Sequence, residues 1–254
     1  MKIVRYRHDG RDRYGALEGD RIAPLDGTIE ALTPAAGATP LALSAVRLLA
    51  PATPSKIVAI GLNYADHAAE GNRELPKEPM LFIKPSTAVI GPGDEIVYPS
   101  QTANLHHEGE LAIVIGKPAR NVSPADARGY IFGYTCANDV TARDLQRRDV
   151  QFTRGKGFDT FAPLGPWIVT GLDPSDLALE TRVNGAVRQK SRTSQLIFNC
   201  DYLVSFISQV MTLLPGDVIS TGTPAGVGPM KVGDVVEVEI EQIGCLKNTI
   251  AAPR

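Results

Sequence analysis

Glu108-Gly109-Glu110-Leu111-Ala112-Ile113-Val114-Ile115 places two acids two residues apart at the head of an apolar, β-branched run. Such a run favours a strand, and the strand period of two points both carboxylates to one face. Paired carboxylates at the head of a buried strand repel each other and lose hydration, so a strand that keeps both calls for a compensating cation. A hard, oxygen-seeking ion such as Mg²⁺ or Mn²⁺ meets that need. Two alternatives stand beside it. One acid can face solvent while the other pairs with an arginine, or His106, on the same alternating face, can join the acids in a His-Glu-Glu site suited to a transition metal.

Outward from this stretch, short β-branched runs alternate with Gly/Pro punctuation at 57–60, 80–83, 129–137, 167–170, 180–183, 234–240 and 246–250. So many short strands with so few helices between them exclude a doubly wound sheet and predict a mainly β architecture with a few helices, of the α+β kind. Residues 1–53 read as a small β-rich amino-terminal unit, with strands at 2–6 and 14–17 around Asp9-Gly10, a turn at Asp26-Gly27 and a loosely structured connection over 31–52. A main domain over 54–254 follows. Asn184-Gly185 predicts a hairpin between 181–183 and 186–188. Asn199 is placed to cap a helix running to about 213, with Leu203, Phe206, Ile207 and Val210 on one stripe and Pro215-Gly216 as the stop. Shorter helices are expected over 141–149 and 64–70.

The 254-residue chain is long enough to bury its own core, and its three widely spaced cysteines form no C-x-x-C pattern. They read as core thiols of a reducing compartment. A polar, charged start over residues 1–13 and the lack of any run long enough to cross a bilayer predict a cytoplasmic protein with no membrane partner. Lys+Arg 26 against Asp+Glu 28 leaves a formal charge of -2, which excludes a phosphate backbone as the expected partner. Only Arg143, Arg147 and Arg148 form a local basic group, fit for a solvated helix face or for an anionic substrate.

A third acid, Asp139, lies in Asn138-Asp139-Val140-Thr141-Ala142-Arg143-Asp144, where an apolar strand gives way to a helix; taken alone, it reads best as a helix cap. His67 and Glu70 stand three apart on a short helix, a spacing that lets a carboxylate orient an imidazole as a general base, though an ordinary surface pair has the same spacing. The turn Thr221-Gly222-Thr223-Pro224-Ala225-Gly226 offers amides and two hydroxyls to a carboxylate or phosphate, or is a plain glycine-rich turn. Lys156, between Gly155 and Gly157, is either a ligand-facing ammonium or a mobile surface lysine.

In this order, these segments resemble the fumarylacetoacetate hydrolase family. The resemblance rests on 61–70, Phe82-Ile83-Lys84-Pro85-Ser86, Glu108-Gly109-Glu110-Leu111, 138–146, 155–160 and Thr221-Gly222-Thr223-Pro224, and it covers residue 56 to the carboxyl terminus. It implies a mixed β-roll around one Mg²⁺ or Mn²⁺, commonly in a homodimer. The metal-ligand positions of the family fall on Glu108, Glu110 and Asp139, and that of His106 is not usually a ligand. The catalytic His and Glu fall on His67 and Glu70, and the active-site lysine on Lys156. Arg143, Gln146, Thr223 and the adjoining Gly222 match positions that touch substrate or shape the pocket.

The resemblance further implies a small 2-oxo acid as substrate and carbon-carbon hydrolysis of an acylpyruvate-type 2,4-dioxo acid. Oxaloacetate decarboxylation, or isomerisation of a hydroxydienedioate from aromatic catabolism, uses the same site without an attacking water. A non-catalytic 2-oxo acid binding protein is the reading from another class. The distal end of the substrate is expected to meet Leu62, the 71–77 loop and the 146–152 helix end, stretches with no recognisable code.

Overall fold

The strand Gly109–Ile115, every residue of which is buried, runs through the middle of a thirteen-stranded sheet. Its alternation explains how both faces are filled. Leu111, Ile113 and Ile115 pack into a cluster with Leu203, Ile207 and Val238, while Ala112 and Val114 face a second cluster with Ile57, Leu164 and Val218. Each large aliphatic side chain buried this way contributes roughly 1.5–3 kcal/mol. Glu110 shares the face of Ala112 and Val114, so the strand that anchors the core also carries an acid into it. The computed structural model describes residues 1–72 and 74–253.

Ile131–Asn138 pairs on one side of this strand, with Ala137 opposite Glu110, and Val218–Ser220 on the other. Lys56–Gly61 runs parallel to Val218–Ser220, and Met80–Pro85 closes that edge. A five-stranded sheet contains the hairpin Ala178–Val183 and Ala186–Arg192, and a small sheet joins Thr141–Ala142, Leu105–His107 and Gly228–Pro229. With four α-helices among the described residues, the fold is mainly β with mixed sheets, as the strand pattern predicts.

The amino-terminal hairpin forms where expected, Lys2–His8 against Arg11–Glu18, with Asp9 and Gly10 at positive φ (49° and 73°). Residues 31–52 are more ordered than their composition suggests. Thr33–Pro34, Leu41–Ala42 and Arg47–Leu49 pair with Arg21–Asp26 and Lys2–His8, held by neighbouring backbone rather than by any pattern of their own. The sheet is also continuous into the main domain, because Lys2 and Ile3 lie opposite Val169 and Ile168.

Two helix boundaries differ from the pattern. Asn199 caps the helix Cys200–Val210 by accepting the Tyr202 amide at 2.9 Å, but the helix ends before 213 because Leu213 exchanges backbone hydrogen bonds with Ala119. Val210 is exposed, off the buried stripe, whose place is taken by Val204 and Ser208. The expected 141–149 helix begins at Arg143, because Thr141 pairs with His106. Cys136 and Cys200 are buried free thiols and Cys245 is half-buried. No helix among the described residues is long and apolar enough to cross a membrane.

Candidate active site

The sheet edge at the head of Gly109–Ile115 gathers three carboxylates. Asn138 accepts the Glu108 amide through Oδ1 at 2.9 Å, and the Asp139 amide donates to the Glu108 carbonyl at 2.8 Å, so the end of one strand locks onto the start of the next. Glu108, Glu110 and Asp139 are all buried, and one oxygen from each lies within 4.8 Å of the others. Asp139 does not cap a helix; the helix starts at Arg143 and the Asp139 side chain is committed to the cluster.

The cations around them are unevenly shared. Lys156 donates to Glu108 Oε2 at 2.8 Å and to Asp139 Oδ2 at 2.5 Å. Lys84 pairs with the other Asp139 oxygen and donates to the Val140 carbonyl, while Arg143 pairs with Glu108 Oε1. Burial works against ionisation of Glu108, but Lys156 and Arg143 outweigh it and hold the carboxyl well below its usual range. Burial likewise opposes the charge on Lys156, and Asp139 and Glu108 overcome it, raising the ammonium pKa.

Glu110 is the exception. Its Oε2 accepts from the Ser220 hydroxyl at 2.5 Å and the Gly222 amide at 2.9 Å, both neutral, and it makes no ion pair among the described residues. Burial, then the charges of Asp139 and Glu108, push its pKa from 4.5 up to about 8. Three converging carboxylates, one of them short of positive charge, are a donor set that fits a hard divalent cation bound through oxygen. Glu108, Glu110 and Asp139 are the residues that can hold it.

Lys84 has no role in the sequence reading, although it lies in the quoted Phe82-Ile83-Lys84-Pro85-Ser86 segment. It is 1% exposed on a strand whose Met80 and Ile83 face solvent, the inverse of what hydrophobicity suggests. Burial lowers its pKa and Asp139 opposes that shift. Lys156, rather than being a mobile surface group, is buried with its ammonium 5.1 Å from the centre of the Phe82 ring. Gly155 makes this possible: a Cβ there would lie 2.8 Å from the Gln146 amide nitrogen, so only glycine lets Thr153–Lys156 dock on Arg143–Asp149.

His67 Nδ1 lies 3.2 Å from Glu70 Oε2 on the helix Ala65–Glu70, and both side chains are partly exposed. Glu70 also accepts the Gly226 amide at 3.2 Å, from the same turn that presents Gly222 to Glu110. That turn is not a free anion cradle. Thr221 Oγ1 donates to the Leu111 carbonyl at 2.8 Å, and Thr223 Oγ1 donates to the Gly109 carbonyl at 2.9 Å. Gln146 Oε1 accepts from Arg143 at 2.6 Å. His106 is outside the converging group: its Nε2 lies 2.9 Å from Asn104 Oδ1, and burial, then Arg143, bring its pKa down to about 4. Of the 71–77 loop, Arg73 lies outside the described residues.

Residues 56–251 match the model of the fumarylacetoacetate hydrolase C-terminal domain, and residues 1–51 that of the Rv2993c-like amino-terminal domain. The chain belongs to the fumarylacetoacetate hydrolase family. A solved structure described as 5-carboxymethyl-2-hydroxymuconate delta-isomerase from Mycobacterium smegmatis is 48% identical, with a TM-score of 0.93 over 99% of this chain and 100% of that one. Maleylpyruvate hydrolase from Sphingobium sp. SYK-6, in complex with manganese(II) and pyruvate, is 32% identical, with a TM-score of 0.84 and full coverage of both chains. The oxaloacetate tautomerase Fahd2a of Rattus norvegicus is 44% identical over 82% of this chain and 70% of its own. Enzymes of this family use a divalent metal, and the acidic triad is where this chain can hold one.

Proposed function

We propose that this protein is a divalent-metal-dependent hydrolase that cleaves a carbon-carbon bond in a small 2,4-dioxo acid of the acylpyruvate type, working in the cytoplasm as a homodimer. The observation that carries the reading is the His67–Glu70 pair, tied through Gly226 to the turn that holds Glu110. Mg²⁺ or Mn²⁺ at Glu108, Glu110 and Asp139 supplies, when bound, a Lewis acid for the carboxylate and adjacent carbonyl oxygens of a 2-oxo acid.

Glu70 accepts the Nδ1 proton of His67, which leaves Nε2 with the lone pair that removes a proton from water. The hydroxide equivalent adds to the distal C4 carbonyl, and the C3–C4 bond breaks. The acyl half leaves as a carboxylic acid, and the other half leaves as pyruvate enolate, which takes up the proton at C3. Two of the three Lys156 N–H groups bind Glu108 and Asp139. The third has no oxygen partner among the described residues and is assigned to stabilise the negative charge that develops on the substrate. Arg143 pairs with Glu108 and the Gly222 amide with Glu110, so both stand beside the triad; with Gln146 and Thr223 they are assigned to the substrate pocket.

His67→Ala tests the assignment with pyruvate release from an acylpyruvate as the readout. The expected loss is about 10²–10⁴-fold in turnover, with Mn²⁺ binding retained; an unchanged rate rejects His67 as the base. A second reading, tautomerisation of oxaloacetate, is favoured by the 44% identical rat relative. Turnover of oxaloacetate that survives His67→Ala, with acylpyruvates inert, selects it.

A further inference from the structure

The hairpin around Asn184-Gly185 touches no reacting group in this scheme, yet one of its residues is placed oddly. Its second strand, Ala186–Arg192, is exposed except at Gln189, which is fully buried, and Ser191, which is half-buried. A buried amide on an otherwise solvated strand costs free energy unless each of its hydrogen-bonding groups is met.

All of them are met, and by functionally placed partners. Gln189 Oε1 accepts from the Gly109 amide at 2.9 Å and from the Nδ1 proton of His107 at 3.2 Å. Gln189 Nε2 donates to Thr223 Oγ1 at 2.7 Å and to the Pro224 carbonyl at 2.9 Å. Gly109 is the peptide between two of the acids, and Thr223-Pro224 stands between the Gly222 amide on Glu110 and the Gly226 amide on Glu70. The hairpin closes on this segment from its other strand too. A Cβ on Gly109 would lie 2.0 Å from Thr181 Oγ1, so the backbone between the acids is pressed against the hairpin. Two residues beyond Gln189, the Ser191 hydroxyl donates to Asp66 at 2.5 Å, on the helix of His67.

We propose that Gln189 is a positioning residue: through one amide it sets the Glu108–Glu110 segment and the turn whose Gly226 amide holds Glu70 at a fixed separation. The inference rests on the functional reading above in taking the acids and the His67–Glu70 pair as working parts of one site. The loss of a purely structural amide would show only in stability. A positioning amide has a different signature. Its removal moves the carboxylate oxygens relative to one another, which weakens the cation site, and moves the base relative to the substrate, which lowers kcat while KM for the substrate changes little.

Gln189→Met, of similar volume and without the amide, is the test, with three readouts: Mn²⁺ affinity of the metal-stripped protein, kcat and KM at saturating Mn²⁺, and the thermal midpoint. The expected result is a roughly tenfold or greater loss of Mn²⁺ affinity, and a comparable fall in kcat at nearly constant KM, as for outer partners of metal ligands. If Gln189→Met does not fold, Gln189→Asn, which keeps the amide and draws it back by one methylene, is expected to give the same split. A lowered thermal midpoint with Mn²⁺ affinity and kcat at the wild-type level overturns the inference. Weakened Mn²⁺ binding in the variant of a wild type that does not hydrolyse acylpyruvates would leave Gln189 in place and reject the hydrolase reading alone.

Discussion

Two charge clusters in this molecule have the same balance of charges and opposite character. On the exposed face of the five-stranded sheet, Glu180, Glu237 and Glu239 surround Arg182 at 2.8, 3.3 and 2.7 Å, with Lys247 on Glu237 and Lys190 on Glu180. At the strand head, Glu108, Glu110 and Asp139 meet Lys84, Lys156 and Arg143. Each cluster has three acids and three bases. On the surface, every acid has a cation and water screens the rest, so the ladder is a modest brace. In the interior, Lys156 spans two acids and Glu110 is left with neutral donors. The difference teaches that burial, and the sharing of partners it enforces, turns the same six charges from a brace into a site with room for a further cation.

The largest expected effect is on Asp139. Asp139→Asn leaves the buried Lys84 with no acid partner among the described residues and Lys156 with Glu108 alone, and loss of a buried partner costs about 3–5 kcal/mol. Urea denaturation of the metal-free protein should show it, together with loss of Mn²⁺ binding. An unchanged midpoint would mean that the interior cluster is as well screened as the surface one.

A second effect, of comparable size, distinguishes the acids by pH. The Glu110 carboxyl has its pKa raised from 4.5 to about 8, so over that window the folded metal-free protein holds a proton that the unfolded chain has released. Stability contributed by this group is therefore present below 4.5 and is lost as pH rises through about 8. Glu110→Gln should flatten that slope in thermal midpoints taken across the window, and wild-type Mn²⁺ affinity should rise over the same range as the proton is displaced. A slope of the opposite sign would contradict the uneven sharing of cations. The smallest effect belongs to the surface. Arg182→Ala should change stability by about 1 kcal/mol, diminishing with added salt, and leave Mn²⁺ affinity untouched.

The two clusters also differ in how far the chain foretells them. Glu108 and Glu110 are legible because strand period and β-branched neighbours are local properties, and the Asn184-Gly185 hairpin is legible for the same reason. Asp139 reads alone as a cap, since only the pairing of two strands brings it beside Glu108. Lys84 was invisible: a lysine on an edge strand usually reaches solvent, and nothing in 80–85 announces that this one turns inward while Ile83 turns out. The Thr221–Gly226 turn reads either as a cradle for a ligand's anion or as a plain glycine-rich turn, and local pattern does not show that its Gly222 amide holds the protein's own Glu110 while its hydroxyls hold backbone carbonyls. In each case the missing information is which distant segment arrives, a property of topology rather than of local pattern.

The central claim is that Glu108, Glu110 and Asp139 together hold one divalent cation. Anomalous diffraction at the manganese edge, from crystals soaked in Mn²⁺, tests it directly. One strong peak per chain is expected among the oxygens of these three side chains. A peak elsewhere, or none in protein that is active with Mn²⁺, would contradict it.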